Sequence, residues 1–214
     1  MILIFGASGF IGTYLVDRLS DDQFSILTAD TDPLWENYLK KQGISHCKID
    51  ITKKESFKKL PNEGVEAVIH LAAMQPANVS ETMYDPSKYI KVNVVGTINI
   101  LEYCRKANVD KIIYASSHRN TQGLWKYGKP VREEDGRAIK YDGEYAMFSI
   151  SESAAQDCVE HYSNQYGIKG LTFRLPPVYG YGPHTEIFWH GEPIKTGFQI
   201  FVENAIEGSP IEVW

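Results

Sequence analysis

The sequence predicts an α/β fold, a doubly wound parallel sheet followed by a small, truncated C-terminal lobe. Three observations predict it. Short apolar runs alternate with helical patterns from the first residue onward. The strand-like runs are almost continuously apolar, as strands covered on both faces are. A glycine-rich turn, GASGFIG at Gly6–Gly12, joins the first strand to the first helix.

The elements follow in order. Ile2–Phe5 is a strand, Phe10–Ser20 a helix, Ser25–Ala29 a strand and Pro33–Gln42 a helix. After the strand His46–Ile49, Thr52 with Glu55 reads as a capping box that opens a helix over Lys53–Leu60. Ala67–Leu71 is the fourth strand. In the helix Ser87–Arg105, Ile90, Val94, Ile98 and Leu101 recur at near-helical spacing and form one apolar face. The strand Lys111–Ala115, the helix Tyr145–Tyr166, the strand Gly170–Arg174 and the helix Gly197–Glu207 complete the alternation. Two long segments, Ser117–Glu144 and Leu175–Ile194, each follow a strand end, where an open parallel sheet forms its ligand crevice. The domain boundary falls between them: residues 1–174 make the sheet domain and 175–214 a partial substrate-binding lobe. Ile211–Trp214 reads as the start of a further strand, hence the expectation of truncation.

The chain has 214 residues, 43% hydrophobic and 23% charged, values that exclude a disordered polypeptide. A net charge of −5 leaves no basic stripe for nucleic acid. No apolar run approaches the roughly 18 residues that span a bilayer, and the start, MILIFGASG, lacks the basic region of a signal peptide. Cys47, Cys104 and Cys158 are odd in number and far apart, so they read as core thiols in a reducing cytoplasm. His46 with Cys47, or His184 with His190, has no second pair at ligand spacing, so no metal site is expected.

At the glycine turn, Gly6 permits the tight bend, Gly9 lets backbone approach a pyrophosphate, and Gly12 lets the helix sit close to the sheet. The N–H groups of Phe10 and Ile11 face the anion at the positive helix end. Asp30, 18 residues after Gly12, ends the second strand where a ribose would be read. A carboxylate there repels a 2′-phosphate and no Arg follows it, so NAD is favoured over NADP. Asp50 is placed to take the adenine amino group with Ile51 against the ring, or else to cap a helix beside Thr52; both readings stay open.

Read together, the motifs resemble the extended short-chain dehydrogenase/reductases, in particular the NAD-dependent epimerase/dehydratase family that acts on nucleotide sugars. The matching pieces are GASGFIG, IDIT at Ile49–Thr52, HLAA at His70–Ala73, VNVVGT at Val92–Thr97, YASS at Tyr114–Ser117, Tyr145, and RLPPVYG at Arg174–Gly180, in family order along nearly the whole chain. The resemblance implies a Rossmann-like sheet and an isomerase or oxidoreductase acting through NAD. Leu71, Ala72 and Ala73, with Met74 and Gln75 behind them, would line the cofactor. Asn93, Ser117 and Tyr145 would approach its nicotinamide end, and Pro176 would pack near the ring. Tyr145 would exchange a proton with a sugar hydroxyl, assisted by Ser117.

A tyrosine is a poor base at its reference value of ~10. Relatives answer this with a lysine one helical turn later, in a Tyr-x-x-x-Lys pattern that also holds the nicotinamide ribose. Here the fourth residue on is Ser149, so the lysine is missing. One unit charge about 4 Å away at an effective dielectric near 20 is worth about 4 kcal/mol. No basic residue is an obvious replacement, since Lys140 precedes the helix and His118 and Arg119 belong to another loop. The expectation is impaired catalysis.

Dehydratases of the family place acidic residues after the YASS serines, whereas this chain has His118 and Arg119. Sugar C4 oxidation and epimerisation is therefore favoured. An NAD-dependent sugar or uronate dehydrogenase and a catalytically inactive NAD-binding module are the alternatives. His118 and Arg119 could grip a sugar phosphate or carboxylate, or be plain loop residues. Tyr179, Tyr181 and His184 are candidate substrate contacts, or parts of a packed aromatic loop. Relatives pair the equivalents of Ser87–Arg105 and Tyr145–Tyr166 across a homodimer, which is carried over here.

Overall fold

The structure is a computed structural model that describes residues 1–31, 43–76, 85–143, 145–180, 187–189, 192–195 and 197–211. Six strands form one sheet: β1 (Ile2–Phe5), β2 (Ile26–Asp30), β3 (Ser45–Lys48), β4 (Ala67–His70), β5 (Lys111–Ser117) and β6 (Lys169–Leu175). Their spatial order is β3-β2-β1-β4-β5-β6, and every pairing is parallel. The chain builds outward from β1 to β3, then returns to lay β4 on the other side of β1. That reversal opens a crevice at the carboxyl ends of β1 and β4.

The sheet is apolar on both faces because each face is covered. Leu3 and Phe5 point into one core with Ile100, Leu101, Cys104 and Val159, which come from helices α3 (Gly96–Lys106) and α4 (Ala146–Tyr166). Ile4, between them, joins Val16 of α1 (Phe10–Asp21) in the core on the opposite face. This is the doubly wound arrangement the strand pattern predicts, and all six predicted strands are present with ends shifted by no more than two residues.

Four local expectations change. Lys54–Lys59 is a 3₁₀ helix, and its N-cap is Lys53, without a side-chain cap bond. The capping box does not form because the Thr52 hydroxyl donates to Asp50 Oδ1 at 2.7 Å instead. The predicted helix over Ser87–Arg105 begins as α2 (Pro86–Tyr89), passes through a π-helical segment at Ile90–Val95, and continues as α3. The segment Ser117–Glu144 opens with a 3₁₀ helix over His118–Tyr127, where the sequence shows only an irregular loop. Within Leu175–Ile194, β7 (Ile187–Trp189) and β8 (Glu192–Ile194) pair antiparallel ahead of α5 (Gly197–Glu207). The predicted helix Pro33–Gln42, and Tyr181 and His184, lie outside the described residues.

Among the described residues β6 pairs only with β5, and its Leu171 and Phe173 are about half exposed (51% and 47%). No helix of the described residues is long and apolar enough to cross a membrane.

Candidate active site

The site starts at the glycine turn. Gly6 has φ +79°, in the left-handed region, and a Cβ there would stand 2.5 Å from the backbone N of Ala72 and 2.7 Å from the carbonyl carbon of Leu71. Only glycine lets the turn lie against the chain leaving β4. A Cβ on Gly12 would stand 2.3 Å from the Gly6 carbonyl oxygen, so α1 also packs directly on the turn. Gly9 differs: its Cβ would meet only the Gly6 oxygen, at 3.3 Å, with no other heavy atom within 4 Å. Gly9 is the N-cap of α1, and no side chain caps that helix end. The first-turn N–H groups, those of Phe10 and Ile11, therefore remain to serve an anion. An open cradle beside an uncapped helix end fits a pyrophosphate.

Two carboxylates follow the turn outward. Asp30 ends β2 and is held beside the turn: Ser8 N–H donates to its Oδ2 at 3.0 Å and Thr31 N–H to its Oδ1 at 2.7 Å. Asp50 accepts from both the backbone N–H and the hydroxyl of Thr52 on Oδ1, and pairs through Oδ2 with Lys53 at 3.1 Å. Burial pushes the Asp50 carboxyl up, but the Thr52 and Lys53 hydrogen bonds outweigh it and hold it below its ordinary value. Ile51 is buried, and its side chain packs over Gly96, where a Cβ would come within 2.6 Å of Ile51 Cδ1.

Beyond β4 the chain runs through Leu71, Ala72, Ala73 and Met74, all half-buried, to an exposed Gln75. Leu71 N–H extends the ladder to the Phe5 carbonyl at 2.9 Å. Asn93 then fixes this segment from below. Its Oδ1 accepts from Met74 N–H at 2.7 Å, and its Nδ2 donates to Met74 O at 3.1 Å and to Ser151 Oγ at 2.9 Å. Asn93 is 1% exposed, so the structure places it beneath the crevice lining. It sits in the π-helical segment, whose wider turn sets its direction. Thr97 donates to the Asn93 carbonyl and meets Nε2 of the buried His70 at 2.8 Å. With the Thr97 proton so committed, His70 carries its proton on Nε2.

The catalytic candidates come next. Ser117 closes β5 and is buried, and its Oγ accepts the backbone N–H of Arg119 at 3.1 Å as the N-cap of the following 3₁₀ helix. Tyr145 is the N-cap residue of α4 and is half-buried. Ser149, one turn on, is 1% exposed and its Oγ has no hydrogen-bond partner. The sequence assigns Arg119 to another loop, but the structure brings it beside Tyr145. The guanidinium carbon of Arg119 lies 3.8 Å from the centre of the Tyr145 ring. The 3₁₀ helix turns Arg119 back over α4, and neither spacing nor periodicity signals that fold-back.

The same 3₁₀ helix sets the surroundings. Arg119 also lies 6.0 Å from the Trp125 ring, and His118 stacks on Trp125 at 5.2 Å with 12° between planes. Burial lowers the His118 ring below its ordinary value, although its contact with the Leu175 carbonyl opposes this. A cleft of about 510 Å³ is lined by His118, Thr121, Trp125, Arg132, Gln156 and Arg174 among others. Pro176 and Tyr179 are exposed after β6, and Tyr179 stacks on Phe198 at 4.1 Å. Gly180 lies against α1, where a Cβ would come 3.4 Å from the Phe10 ring.

One buried acid escapes the sequence reading. Glu152 is 1% exposed and accepts the Tyr114 hydroxyl at 2.8 Å. Burial drives its carboxyl up to about 7, with the Tyr114 bond opposing. Its signal in the sequence is spacing, because positions 149 and 152 share one buried face of α4.

Residues 2–214 match the model of the NAD dependent epimerase/dehydratase family. The chain belongs to that family. It is 31% identical over 182 residues to a Methanocaldococcus jannaschii protein provisionally named UDP-glucose 4-epimerase, covering 84% of this chain and 56% of the relative. It is 28% identical to UDP-glucuronate 4-epimerase 4 of Arabidopsis thaliana, covering 97% of this chain and 49% of that one. The crystal structure of the Thermus thermophilus UDP-glucose 4-epimerase in complex with NAD superposes with a TM-score of 0.75 at 27% identity, over 98% of this chain and 64% of that one. The chain thus spans roughly half to two-thirds of these relatives' lengths.

Proposed function

We propose that this chain is the cofactor-binding part of a nucleotide-sugar 4-epimerase that works through NAD. The observation that carries the reading is the open glycine turn at the uncapped end of α1, packed against the strand exit of β4. Gly6, Gly9, Phe10, Ile11 and Gly12 would hold the pyrophosphate, and Asp30 the adenosine ribose. Asp50 and Ile51 would border the adenine, with Leu71, Ala72, Ala73 and Gln75 lining the cofactor farther along. Asn93 reaches the site through its grip on Met74. Pro176 would border the nicotinamide end, with the buried Ser149 behind it. Residues 1–174 form the cofactor domain in this reading, and 175–214 part of a substrate lobe.

NAD, when bound, would supply a centre able to accept hydride from the sugar and return it. Tyr145 moves the proton at the sugar C4 hydroxyl, and Ser117 orients that hydroxyl. Arg119 touches both residues, through its guanidinium and its backbone N–H respectively, which ties the two catalytic candidates into one unit. Ser149 brings neither charge nor a ribose contact, so the nicotinamide ribose lacks the hold a lysine would give and turnover is impaired relative to a lysine at that position.

The assay incubates the protein with NAD and UDP-glucose or UDP-glucuronate and follows the C4 epimer by NMR. Epimer without net absorbance at the NADH band supports the reading. Stoichiometric NADH would make the protein a sugar or uronate dehydrogenase. Ser149 and its silent hydroxyl favour a second reading, an inactive NAD-binding module, which cofactor binding without nucleotide-sugar binding would support. The reading extends to a cytoplasmic homodimer joined through α2–α4, where Ile90 and Val95 are 37% and 40% exposed. Light scattering showing a monomer would remove that part.

A further inference from the structure

Resting on Tyr145 as the proton-transfer group, we propose that Arg119 is its positioning residue, supplying the positive charge that the residue at position 149 does not. Two independent observations meet here. The position one turn after Tyr145 holds a serine whose hydroxyl is sealed from solvent and has no hydrogen-bond partner, so it brings no charge to the phenol. Meanwhile a guanidinium from a different element lies 3.8 Å from the centre of the Tyr145 ring.

The chemistry of the pair is specific. A phenol that gives up its proton spreads negative charge from oxygen into the ring, so a cation over the ring face is attracted more strongly to the ionised form. Arg119 is suited to this. A guanidinium is planar and stacks flat on aromatic faces. The other side-chain neighbours of Arg119 are Gln122 at 3.5 Å and the Trp125 ring, and among the described residues no carboxylate neutralises it. The neighbouring titratable group on the same 3₁₀ helix, His118, is lowered by burial and by Arg119 itself, which favours its neutral ring and adds no second charge. Arg119 is also held in place from behind, since its backbone N–H is fixed to Ser117.

The test uses the whole chain and reads Tyr145 directly. Tetranitromethane nitrates the ionised phenol, and peptide mass spectrometry gives the rate at Tyr145 at one mildly alkaline pH. Removing a stacked side chain uncovers the ring, so a merely structural Arg119 predicts faster nitration in R119M. Charge support predicts the reverse: nitration at least fivefold slower in R119M, and restored in R119M/S149K. An unchanged or faster rate in R119M overturns the proposal. Epimerase turnover provides the second readout. S149K restores at least tenfold in the R119M background and gives a smaller gain in the parent, because the two cations serve one phenol. If R119M slows nitration while no nucleotide sugar is turned over by any variant, the charge pairing stands and the epimerase reading is what fails.

Discussion

Asn93 grips Met74 by both of its backbone polar groups, with Oδ1 accepting the N–H at 2.7 Å and Nδ2 donating to the carbonyl at 3.1 Å. The strand exit that borders the crevice is thus tied to a helix one layer below. Asn93→Ala leaves these groups unsatisfied next to a half-buried backbone. It should cost about 1–3 kcal/mol in urea denaturation. NAD affinity should fall in parallel by calorimetry; wild-type stability and affinity in the variant would show that the clamp is idle.

The glycines of the turn should separate into two kinds. A methyl on Gly12 would lie 2.3 Å from the Gly6 oxygen, so Gly12→Ala should destabilise the fold by about 1–3 kcal/mol or more. A methyl on Gly9 needs a shift of only a few tenths of an ångström and otherwise enters the open cradle. Gly9→Ala should melt close to the parent yet bind NAD at least tenfold more weakly. Equal NAD affinity in Gly9→Ala and the parent would place the pyrophosphate elsewhere.

Asp30 should decide between the two nicotinamide dinucleotides. Its carboxylate is held beside the turn by Ser8 and Thr31, where it would repel a 2′-phosphate. Asp30→Ser removes that repulsion, and the ratio of NAD to NADP affinity should fall by tenfold or more. An unaltered ratio in titrations of both cofactors would show that ribose is read by another residue.

Two buried groups give opposite pH responses. Glu152 rises from 4.5 to about 7 through burial, so the folded state binds its proton more tightly than the unfolded chain. Its contribution is complete below about pH 4.5 and is lost as pH climbs through about 7. His70, lowered by burial from 6.5 to about 3, acts in the other sense and loses its contribution as pH falls from 6.5 toward 3. Glu152→Gln should therefore gain on the parent by roughly 3 kcal/mol between pH 4.5 and 7. A stability difference that stays flat over that range would contradict the buried, raised acid.

The sheet was legible because its evidence is local. Continuous apolar strands such as Ile2–Phe5, and a turn whose glycines sit against backbone, need no knowledge of partners. Asp30 was legible for the same reason, since it ends a strand at a fixed distance from Gly12. Arg119 was not, because its place over Tyr145 depends on a 3₁₀ helix bringing residues 26 positions apart together. The Thr52 cap failed on a competition that sequence cannot rank, between an Asp50 carboxylate two residues back and free helix N–H groups. The direction of Asn93 hangs on the π-helical turn, whose extra residue leaves no mark in hydrophobic spacing.

The half-exposed Leu171 and Phe173 along the outer border of β6 bear on how any oligomer of this polypeptide is measured. Backbone groups facing outward beside apolar side chains are a template on which a second copy can lay its own β6, strand to strand. Such a pair has the mass of a helix-joined dimer, so mass alone does not separate the two. A lysine introduced at 171 or 173 would block the strand-to-strand route and leave association through the helices intact, so the two kinds of doubling can be told apart.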